Sequence, residues 1–123
     1  MSATVGVGID LVDVERFASA LARRPALAAR LFSERERLDA RDRPERLAAR
    51  FAAKEATWKA LGVGLGATRI RDVEVTRTDS GAPTLHLHGL AAQLAADRGV
   101  STWHLSLTHT AHSAGAVVVA ETT

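Results

Sequence analysis

The stretch PERLAARFAAKEATWKAL, from Pro44 to Leu61, predicts the helix on which the fold depends. Proline is favoured at the first position of a helix, and the glycine that follows Leu61 is typical of a helix end. When residues are placed about 100° apart around the axis, two apolar arcs appear. One arc holds large side chains and the other holds alanines: Leu47, Phe51, Trp58 and Leu61 against Ala48, Ala52, Ala53, Ala56 and Ala60. A helix that is covered on two sides lies at the centre of its fold.

The ionisable residues of this helix therefore need an explanation. Lys54 falls inside the large apolar arc, while Glu55 and Lys59 lie on the seam between the arcs. Buried charges require partners, so we expect these three residues to be paired or functional. A glutamate four residues before a lysine also forms an ordinary helix pair, so the spacing alone is weak. The solvent-facing side is predicted to hold Arg46, Arg50 and Thr57.

Before this helix, the stretch TVGVGIDLV has the alternation of a strand. Gly6 and Gly8 share one face of that strand with Asp10. Because these glycines lack side chains, another backbone or a ligand can approach that face closely.

The other segments complete an α+β pattern. After an Asp13 cap we predict the helix VERFASALARR, then PALAARLF from Pro25, and ERERLDA with the capping-box spacing of Ser33 and Glu36. The stretches TRIRDVEVTR, TLHLHG, VSTWHLSLTHT and SAGAVVVAE read as strands, and LAAQLAADRG as a short helix. We predict a single domain over residues 1–123, with a mostly antiparallel sheet around a long central helix.

Composition excludes several classes of protein. A chain of 123 residues fits one domain, and 46% apolar with 24% charged residues is a globular composition. It contains no cysteine, which rules out disulfides, thiol catalysis and cysteine zinc sites. It has no run of eighteen apolar residues, and its first residues, MSATVGVGID, lack the basic start and cleavage site of a signal peptide. We therefore expect a cytoplasmic protein.

Positive charge is concentrated in one third of the chain. Residues 16–50 contain ten arginines and five acidic residues, a local charge of +5, although the whole chain carries only +2. Such a surface suits an acidic protein, a nucleotide or a nucleic acid. The aromatic residues occupy positions typical of a core, which disfavours a base-stacking platform for nucleic acid. These are Phe17, Phe32, Phe51, Trp58 and Trp103.

Two short motifs are only weak evidence for a phosphate-binding loop and a metal site. The loop GVGLG, residues 62–66, lacks the GK[ST] of a P-loop and precedes a strand, so we interpret it as a helix cap and flexible loop. His86 and His88 share a strand face, but no third metal ligand accompanies them, which favours a solvated face.

A more specific set of candidate site residues comes from distant segments of the chain. These residues are Asp10, Glu55, Lys59 and His109. Two carboxylates with few other ligands suit Mg²⁺, which completes its coordination with water and phosphate oxygens. A lysine and a histidine suit the phosphates themselves.

Three motifs then identify a family: GIDLVDVERF (residues 8–17), RFAAKEATWKALG (residues 50–62) and LSLTHT (residues 105–110). From about residue 5 to residue 121, the chain resembles the holo-acyl-carrier-protein synthase type of 4'-phosphopantetheinyl transferase. The resemblance implies transfer of 4'-phosphopantetheine from coenzyme A to a serine of apo acyl carrier protein, with release of adenosine 3',5'-bisphosphate. That reaction supports fatty acid or polyketide biosynthesis.

The resemblance also implies roles for individual residues. Asp10 and Glu55 would be Mg²⁺ ligands, and Lys59 would neutralise phosphates or protonate the leaving group. Glu36 would be the general base, although its capping-box role explains it nearly as well. The residues expected to bind coenzyme A are Arg50, Lys54, Lys59, Gly62, Gly64, Pro83, Ser106, His109 and Thr110.

For partners, the resemblance implies that Arg16, Arg23 and Arg24 dock the acidic carrier protein. It also implies a homotrimer with active sites between subunits, and binding to neither nucleic acid nor membrane. The alternative is a non-catalytic, arginine-rich module that binds an acidic protein or nucleic acid. That alternative predicts salt-sensitive binding without any need for Mg²⁺ or Lys59.

Overall fold

Helix α4 spans Pro44–Leu61 in the computed structural model, which describes residues 2–123. These are the bounds predicted from the sequence. Gly62 ends the helix in the left-handed conformation, with φ of 71°, and its amide donates to the carbonyls of Lys59 and Trp58. Glycine adopts this conformation without the steric cost that other residues carry.

Three antiparallel strands form the main sheet: β1 (Ala3–Asp13), β4 (Thr102–His109) and β5 (Ser113–Thr122). The strand order is β1-β5-β4, so β1 and β4 are the two edges and β5 lies between them. The predicted pairing of the last two strands as a hairpin is confirmed.

Helix α4 packs directly on the inner face of β1. A Cβ built on Gly6 would lie 1.9 Å from the Ala60 carbonyl oxygen, and one built on Gly8 would lie 1.8 Å from that of Ala56. No larger residue fits either position, which confirms that another backbone approaches the glycine face. Asp10 lies on the same face and is thereby held against the helix.

Three shorter helices precede α4: α1 (Val14–Arg23), α2 (Leu27–Leu31) and α3 (Glu34–Ala40). The predicted caps are confirmed, because the Asp13 carboxylate accepts from the amide of Arg16 at 2.8 Å and Ser33 forms a capping box with Glu36. Helix α2 is shorter than predicted, since Pro25 and Ala26 form the turn that leads into it.

A second, two-stranded sheet consists of β2 (Val73–Arg77) and β3 (Pro83–Leu87), followed by helix α5 (Gly89–Asp97). The strand predicted from residue 68 begins only at Val73, because Ile70–Asp72 forms a 3₁₀ turn. The carbonyls of Ile70 and Val73 accept hydrogen bonds from the buried ammonium of Lys54, which draws this segment toward α4.

The third side of α4 is also covered. Arg50 is 3% exposed and Thr57 is fully buried, so the prediction that they face solvent is wrong. The Thr57 hydroxyl donates to the Ala53 carbonyl at 2.7 Å, which satisfies it without water. Strands β2 and β4 close over this side of the helix.

By contrast, the outer face of the main sheet is open. Val7, Ile9, Leu11 and Val117 on β1 and β5 are 40–74% exposed. They form a continuous apolar strip, because Val7, Ile9 and Leu11 alternate along β1 and Ile9 lies opposite Val117. We call these four residues the apolar strip. Among residues 2–123, no helix combines the length and the apolar character needed to cross a bilayer.

Candidate active site

Three of the predicted site residues meet where α4 crosses β1. The Lys59 ammonium donates to Asp10 Oδ1 at 3.1 Å and to the Ile9 carbonyl at 3.0 Å. Glu55, one helical turn before Lys59, lies close enough to Asp10 for the two carboxyl groups to influence each other's charge. We call Asp10, Glu55 and Lys59 the acidic cluster.

The two carboxyl groups of the acidic cluster are close enough to change each other's protonation. Burial and the negative charge of Asp10 raise the pKa of Glu55 to about 7, while Lys59 opposes the shift. Two neighbouring carboxyl groups of this kind are typical of sites that bind a cation or transfer a proton.

The donor set fits Mg²⁺. Within the described residues, no group of three or more histidine, aspartate or glutamate side chains is arranged to hold a metal. The acidic cluster thus offers two carboxylates and no further ligand of these types. Mg²⁺ is commonly bound by one or two carboxylates together with water and substrate phosphates, whereas a structural zinc site needs more protein ligands.

A second group of predicted residues surrounds two adjoining cavities of about 310 and 200 Å³ between α4, β2 and β4. Arg50, Arg77 and Leu107 line both of them, and no aspartate or glutamate lines either. We call the pair the arginine cavity. The larger part is also lined by Gly81, Pro83, Leu105 and Ser106, and the smaller by Arg46, Ala49, Thr108 and His109.

Among the arginines that line the arginine cavity, Arg50 is the buried one. Its guanidinium donates to the Arg46 carbonyl at 3.3 Å, but its Nε has no hydrogen-bond partner. Burial and the positive charge of Arg77 lower the pKa of Arg50, although Asp39 and Glu36 oppose the shift. A buried cation beside another cation is stabilised by an anion, so the cavity has the electrostatics of a phosphate site.

The acidic cluster and the arginine cavity lie on different sides of α4. Asp10 is on edge strand β1 and His109 is near the end of edge strand β4, with β5 between them. The chain therefore brings together Asp10, Glu55 and Lys59, and separately Arg50, Pro83 and His109. Ser106 borders the larger part of the arginine cavity, but it also lines a cavity on the outer face of the main sheet. Gly62 and Gly64 lie just beyond Lys59, and a Cβ built on either would meet open space.

Lys54 does not belong to the phosphate site. Its side chain is fully buried, and its ammonium donates to Glu36 Oε1 at 2.9 Å and to the carbonyls of Ile70 and Val73. Burial lowers the pKa of Lys54, an effect that Glu36 opposes. The prediction that Lys54 holds coenzyme A phosphates is wrong, because no surface of its side chain is accessible.

Glu36 is likewise excluded as a general base. It is fully buried, Oε1 accepts from the Ser33 amide and Lys54, and Oε2 accepts from the Val75 amide at 2.9 Å. Both oxygens are occupied and no substrate can reach them. The capping-box alternative is confirmed. The pairing with Lys54 could not be predicted from the sequence, because the two residues are eighteen positions apart.

Two further predicted residues have defined surroundings. The Thr110 hydroxyl accepts from the amides of His112 and Ser113 at 3.1 and 3.0 Å, so it orders the turn next to His109. Ser106 lies opposite Val117 and His109 opposite Ala114, which places the two side chains on opposite faces of β4.

The arginines of residues 16–50 divide into paired and unpaired sets. Arg35 and Arg37 form ion pairs with Asp39 and Asp42 at 3.3 and 3.1 Å. Within residues 2–123, no ion pair involves Arg16, Arg23 or Arg24, which are exposed on or next to α1. Arg30, Arg41 and Arg43 are also exposed and take part in no ion pair among the described residues, so free positive charge extends from α1 to the turn before α4. A docking role for Arg16, Arg23 and Arg24 stays a prediction.

The two histidines of the predicted strand TLHLHG differ in position. His86 is exposed on β3, whereas His88 lies one residue beyond that strand, at the start of α5, and pairs with Glu74 at 3.0 Å. The prediction that both share a strand face is therefore wrong, although both side chains are solvated as favoured.

Together, the α+β fold, the acidic cluster and the arginine cavity define a protein that binds a phosphate-rich substrate. The chain belongs to the 4'-phosphopantetheinyl transferase superfamily, whose sequence model matches residues 6–118. It is thus a member of an enzyme family, and the resemblance carried by the three motifs is confirmed.

Individual relatives make the similarity more specific. The chain is 55% identical to the holo-[acyl-carrier-protein] synthase of Frankia casuarinae over 120 residues, which cover 98% of this chain and 99% of the relative. It superposes with a TM-score of 0.79 on the acyl carrier protein synthase of Mycobacterium tuberculosis, with 39% identity over 98% of this chain and all of that one. It superposes with a TM-score of 0.83 on a coenzyme A complex of ACPS from Chronobacterium ammoniagenes, with 30% identity and 98% of both chains covered.

Proposed function

We propose that residues 1–123 form one holo-[acyl-carrier-protein] synthase domain, which transfers 4'-phosphopantetheine from coenzyme A to a serine hydroxyl of apo acyl carrier protein. The observation that carries this proposal is the acidic cluster, in which two carboxyl groups and a lysine meet at the crossing of α4 and β1. Family membership and the relatives named holo-[acyl-carrier-protein] synthase support it.

In this reaction the serine oxygen bonds to the pyrophosphate phosphorus that carries the pantetheine arm. The bond from that phosphorus to the bridging oxygen breaks, adenosine 3',5'-bisphosphate leaves with the bonding electron pair, and the serine proton passes to solvent water. Phosphoryl transfer of this kind needs alignment of the reacting atoms and neutralisation of phosphate charge.

Asp10 and Glu55 would hold a Mg²⁺ ion, the cation that their donor set fits. When bound, Mg²⁺ supplies positive charge to the pyrophosphate oxygens. The Lys59 ammonium, half-exposed beside Asp10, is placed to donate a hydrogen bond to a phosphate oxygen or to the leaving group. His109 and Arg50 line the arginine cavity, where they bind phosphate without touching the acidic cluster.

The active enzyme is a homotrimer with its sites between subunits. Two observations support this part of the proposal. The apolar strip exposes four large hydrophobic residues on the outer sheet face, where burial by a neighbouring subunit would stabilise it. The acidic cluster and the arginine cavity also flank opposite edges of one sheet, so a neighbouring copy can complement either of them.

The carrier protein docks on the exposed arginines of α1. Arg16, Arg23 and Arg24 present free positive charge, which attracts an acidic partner and orients its approach. The preferred carrier, whether of fatty acid or polyketide synthesis, and the cytoplasmic location remain predictions from the sequence.

Incubation of the purified protein with Mg²⁺, coenzyme A and an apo acyl carrier protein tests the function. The carrier should gain the mass of one 4'-phosphopantetheine group, measured by intact-protein mass spectrometry. Failure to modify any of several carrier types, by protein shown to be folded, would falsify the proposal.

A separate measurement tests the metal. Titration with MgCl₂ should raise the melting temperature of the wild type, because a ligand that binds only the folded state stabilises it. Glu55→Gln should abolish that rise, and Glu45→Gln, the same change in the first turn of α4, should retain it. An equal rise in all three proteins would remove Glu55 from the metal site.

A further inference from the structure

We propose that Trp58 and Thr68 are positioning residues: the hydrogen bond between their side chains fixes the loop after α4 and thereby sets the affinity for coenzyme A. The loop comprises residues 62–67, and we call it the glycine loop. This inference rests on the proposed function, in which the acidic cluster next to the loop binds the pyrophosphate. Neither Trp58 nor Thr68 is among the candidate site residues predicted from the sequence.

Trp58 holds the glycine loop at both of its ends. Its carbonyl accepts from the amide of Val63 at 3.1 Å, where the loop begins. Its indole N–H donates to the Thr68 hydroxyl at 2.9 Å, immediately after the loop ends. Trp58 is 4% exposed and Thr68 is 7% exposed, so water has little access to the bond between them. One residue of α4 therefore fixes both the start and the end of the loop.

The interior of the glycine loop makes few contacts with the rest of the protein. A Cβ built on Gly62, Gly64 or Gly66 would meet no atom within 4 Å, and Leu65 is 68% exposed. Within the loop, the Ala67 amide donates to the Gly64 carbonyl at 3.2 Å. Glycine has more backbone freedom to lose than any other residue. The conformation of this loop therefore depends on the hydrogen bonds at its ends.

The glycine loop lies beside the group that is placed to bind phosphate. It begins three residues after Lys59, whose ammonium belongs to the acidic cluster. Among the described residues, no carbonyl accepts from the amides of Gly64, Leu65 or Gly66, all of which are exposed. Free backbone amides next to a cation form a surface that binds anions.

A loop that binds its ligand in one conformation makes affinity depend on how often that conformation is populated. The apparent dissociation constant rises as the populated fraction falls, although the contacts in the complex are unchanged. Loss of the bond between Trp58 and Thr68 leaves the end of the glycine loop free and lowers that fraction. The acidic cluster is not touched, so the change acts on binding of coenzyme A and not on the transfer step.

Threonine offers two replacements that separate the hydrogen bond from packing. Thr68→Val removes the hydroxyl and keeps a branched side chain, whereas Thr68→Ser keeps the hydroxyl and removes a methyl group. Thr57→Val is the matched control, because Thr57 is also buried but its hydroxyl donates to the Ala53 carbonyl of its own helix. Trp58→Phe removes the same bond from the donor side, and Trp103→Phe on β4 is its control.

The test measures kcat and KM for coenzyme A at a saturating concentration of apo carrier. Thr68→Val and Trp58→Phe should raise KM for coenzyme A about 3- to 10-fold and leave kcat unchanged, as expected when one hydrogen bond that supports binding is lost. Thr68→Ser, Thr57→Val and Trp103→Phe should keep the KM of wild type. Equal KM values in Thr68→Val and Thr68→Ser, an equal rise in Thr57→Val, or a loss confined to kcat would each overturn the inference.

Hydrogen exchange in the free proteins reports on the glycine loop itself. The Ala67 amide should exchange faster in Thr68→Val than in Thr68→Ser, because the end of the loop opens more often when the bond is missing. The middle of α4 should exchange at the same rate in both variants. Equal exchange at Ala67 would contradict a role for this bond in holding the loop.

Calorimetric titration with coenzyme A and MgCl₂, without any carrier, keeps this result separate from the proposed function. Thr68→Val should bind coenzyme A about 3- to 10-fold more weakly than Thr68→Ser. If no carrier is modified but this pattern appears, the proposed transfer fails and the positioning role stands. If transfer occurs but both variants bind coenzyme A equally well, the positioning role is wrong, as it is if wild type binds no coenzyme A.

Discussion

The Lys54 ammonium lies 2.9 Å from the Glu36 carboxylate, and both side chains are fully buried. This pair ties the central helix to α3, and its remaining hydrogen bonds reach the segment that begins β2. Each charge is compensated by the other and by backbone groups, which is the condition under which an ion pair persists in a protein interior.

Removing one partner of this pair should be strongly destabilising. Glu36→Gln leaves the Lys54 charge without its counterion, and we expect a loss of about 3–5 kcal/mol in the free energy of unfolding. Urea denaturation followed by circular dichroism measures it. The double variant Glu36→Gln/Lys54→Met should lose less than the sum of the single changes, because the two residues interact. A loss below about 1 kcal/mol in Glu36→Gln would show that the pair is dispensable.

The close contact between β1 and α4 should make substitution of Gly8 destabilising. Gly8→Ala places a Cβ 1.8 Å from the Ala56 carbonyl oxygen, so the strand and the helix must separate. We expect destabilisation of at least about 1–3 kcal/mol, the range typical of overpacked cores. Gly64→Ala is the matched control for stability, since its Cβ would meet no atom within 4 Å. Equal melting temperatures for the two variants would contradict the close approach.

Acid stability should depend on Glu74. Burial raises the pKa of Glu74, but hydrogen bonds from Ser33 and His88 and the charges of His88 and Lys54 outweigh it, so the pKa is lowered from 4.5. Below that value the unfolded state binds more protons than the folded state, so this stabilisation is present above pH 4.5 and is lost as pH falls through the folded pKa. Between about pH 5 and pH 3, the melting temperatures of wild type and Glu74→Gln should converge. A constant difference would show that Glu74 contributes through packing alone.

Carrier recognition should depend on the arginines of α1. Arg16→Glu should raise KM for the carrier about 3- to 10-fold, corresponding to roughly 1 kcal/mol, and leave KM for coenzyme A unchanged. The effect should shrink with added salt, because exposed charges are screened. Steady-state kinetics at two salt concentrations measure both quantities, with Arg98→Glu as the control for total charge. An equal rise in KM for both substrates, or equal effects in the two variants, would remove Arg16 from the docking surface.

Local patterns in the sequence were sufficient to predict the central helix and the helix caps. The bounds of α4, the Asp13 cap and the Ser33 capping box each depend on residues within one or two helical turns, and all are confirmed. The glycine face of β1 was predictable because Gly6 and Gly8 alternate with large residues.

What could not be predicted depends on contacts between distant segments. Glu36 and Lys54 are eighteen positions apart in the sequence, and only the folded structure shows that they form a buried ion pair. Thr57 was predicted to be exposed because it lies outside the two apolar arcs of α4, yet its hydroxyl donates a hydrogen bond to its own helix, which permits burial. Arg77 enters the arginine cavity through the register of β2 with β3, which the sequence of either strand leaves open.

We propose that transfer depends on a cation held by Asp10 and Glu55. The most direct test is the rate at which Glu55→Gln modifies an apo carrier in the presence of Mg²⁺ and coenzyme A, measured by intact-protein mass spectrometry. We predict a rate about 100-fold or more below wild type, because a metal ligand is lost, while Glu45→Gln on the same helix keeps the wild-type rate. Transfer by Glu55→Gln at the wild-type rate would contradict the account.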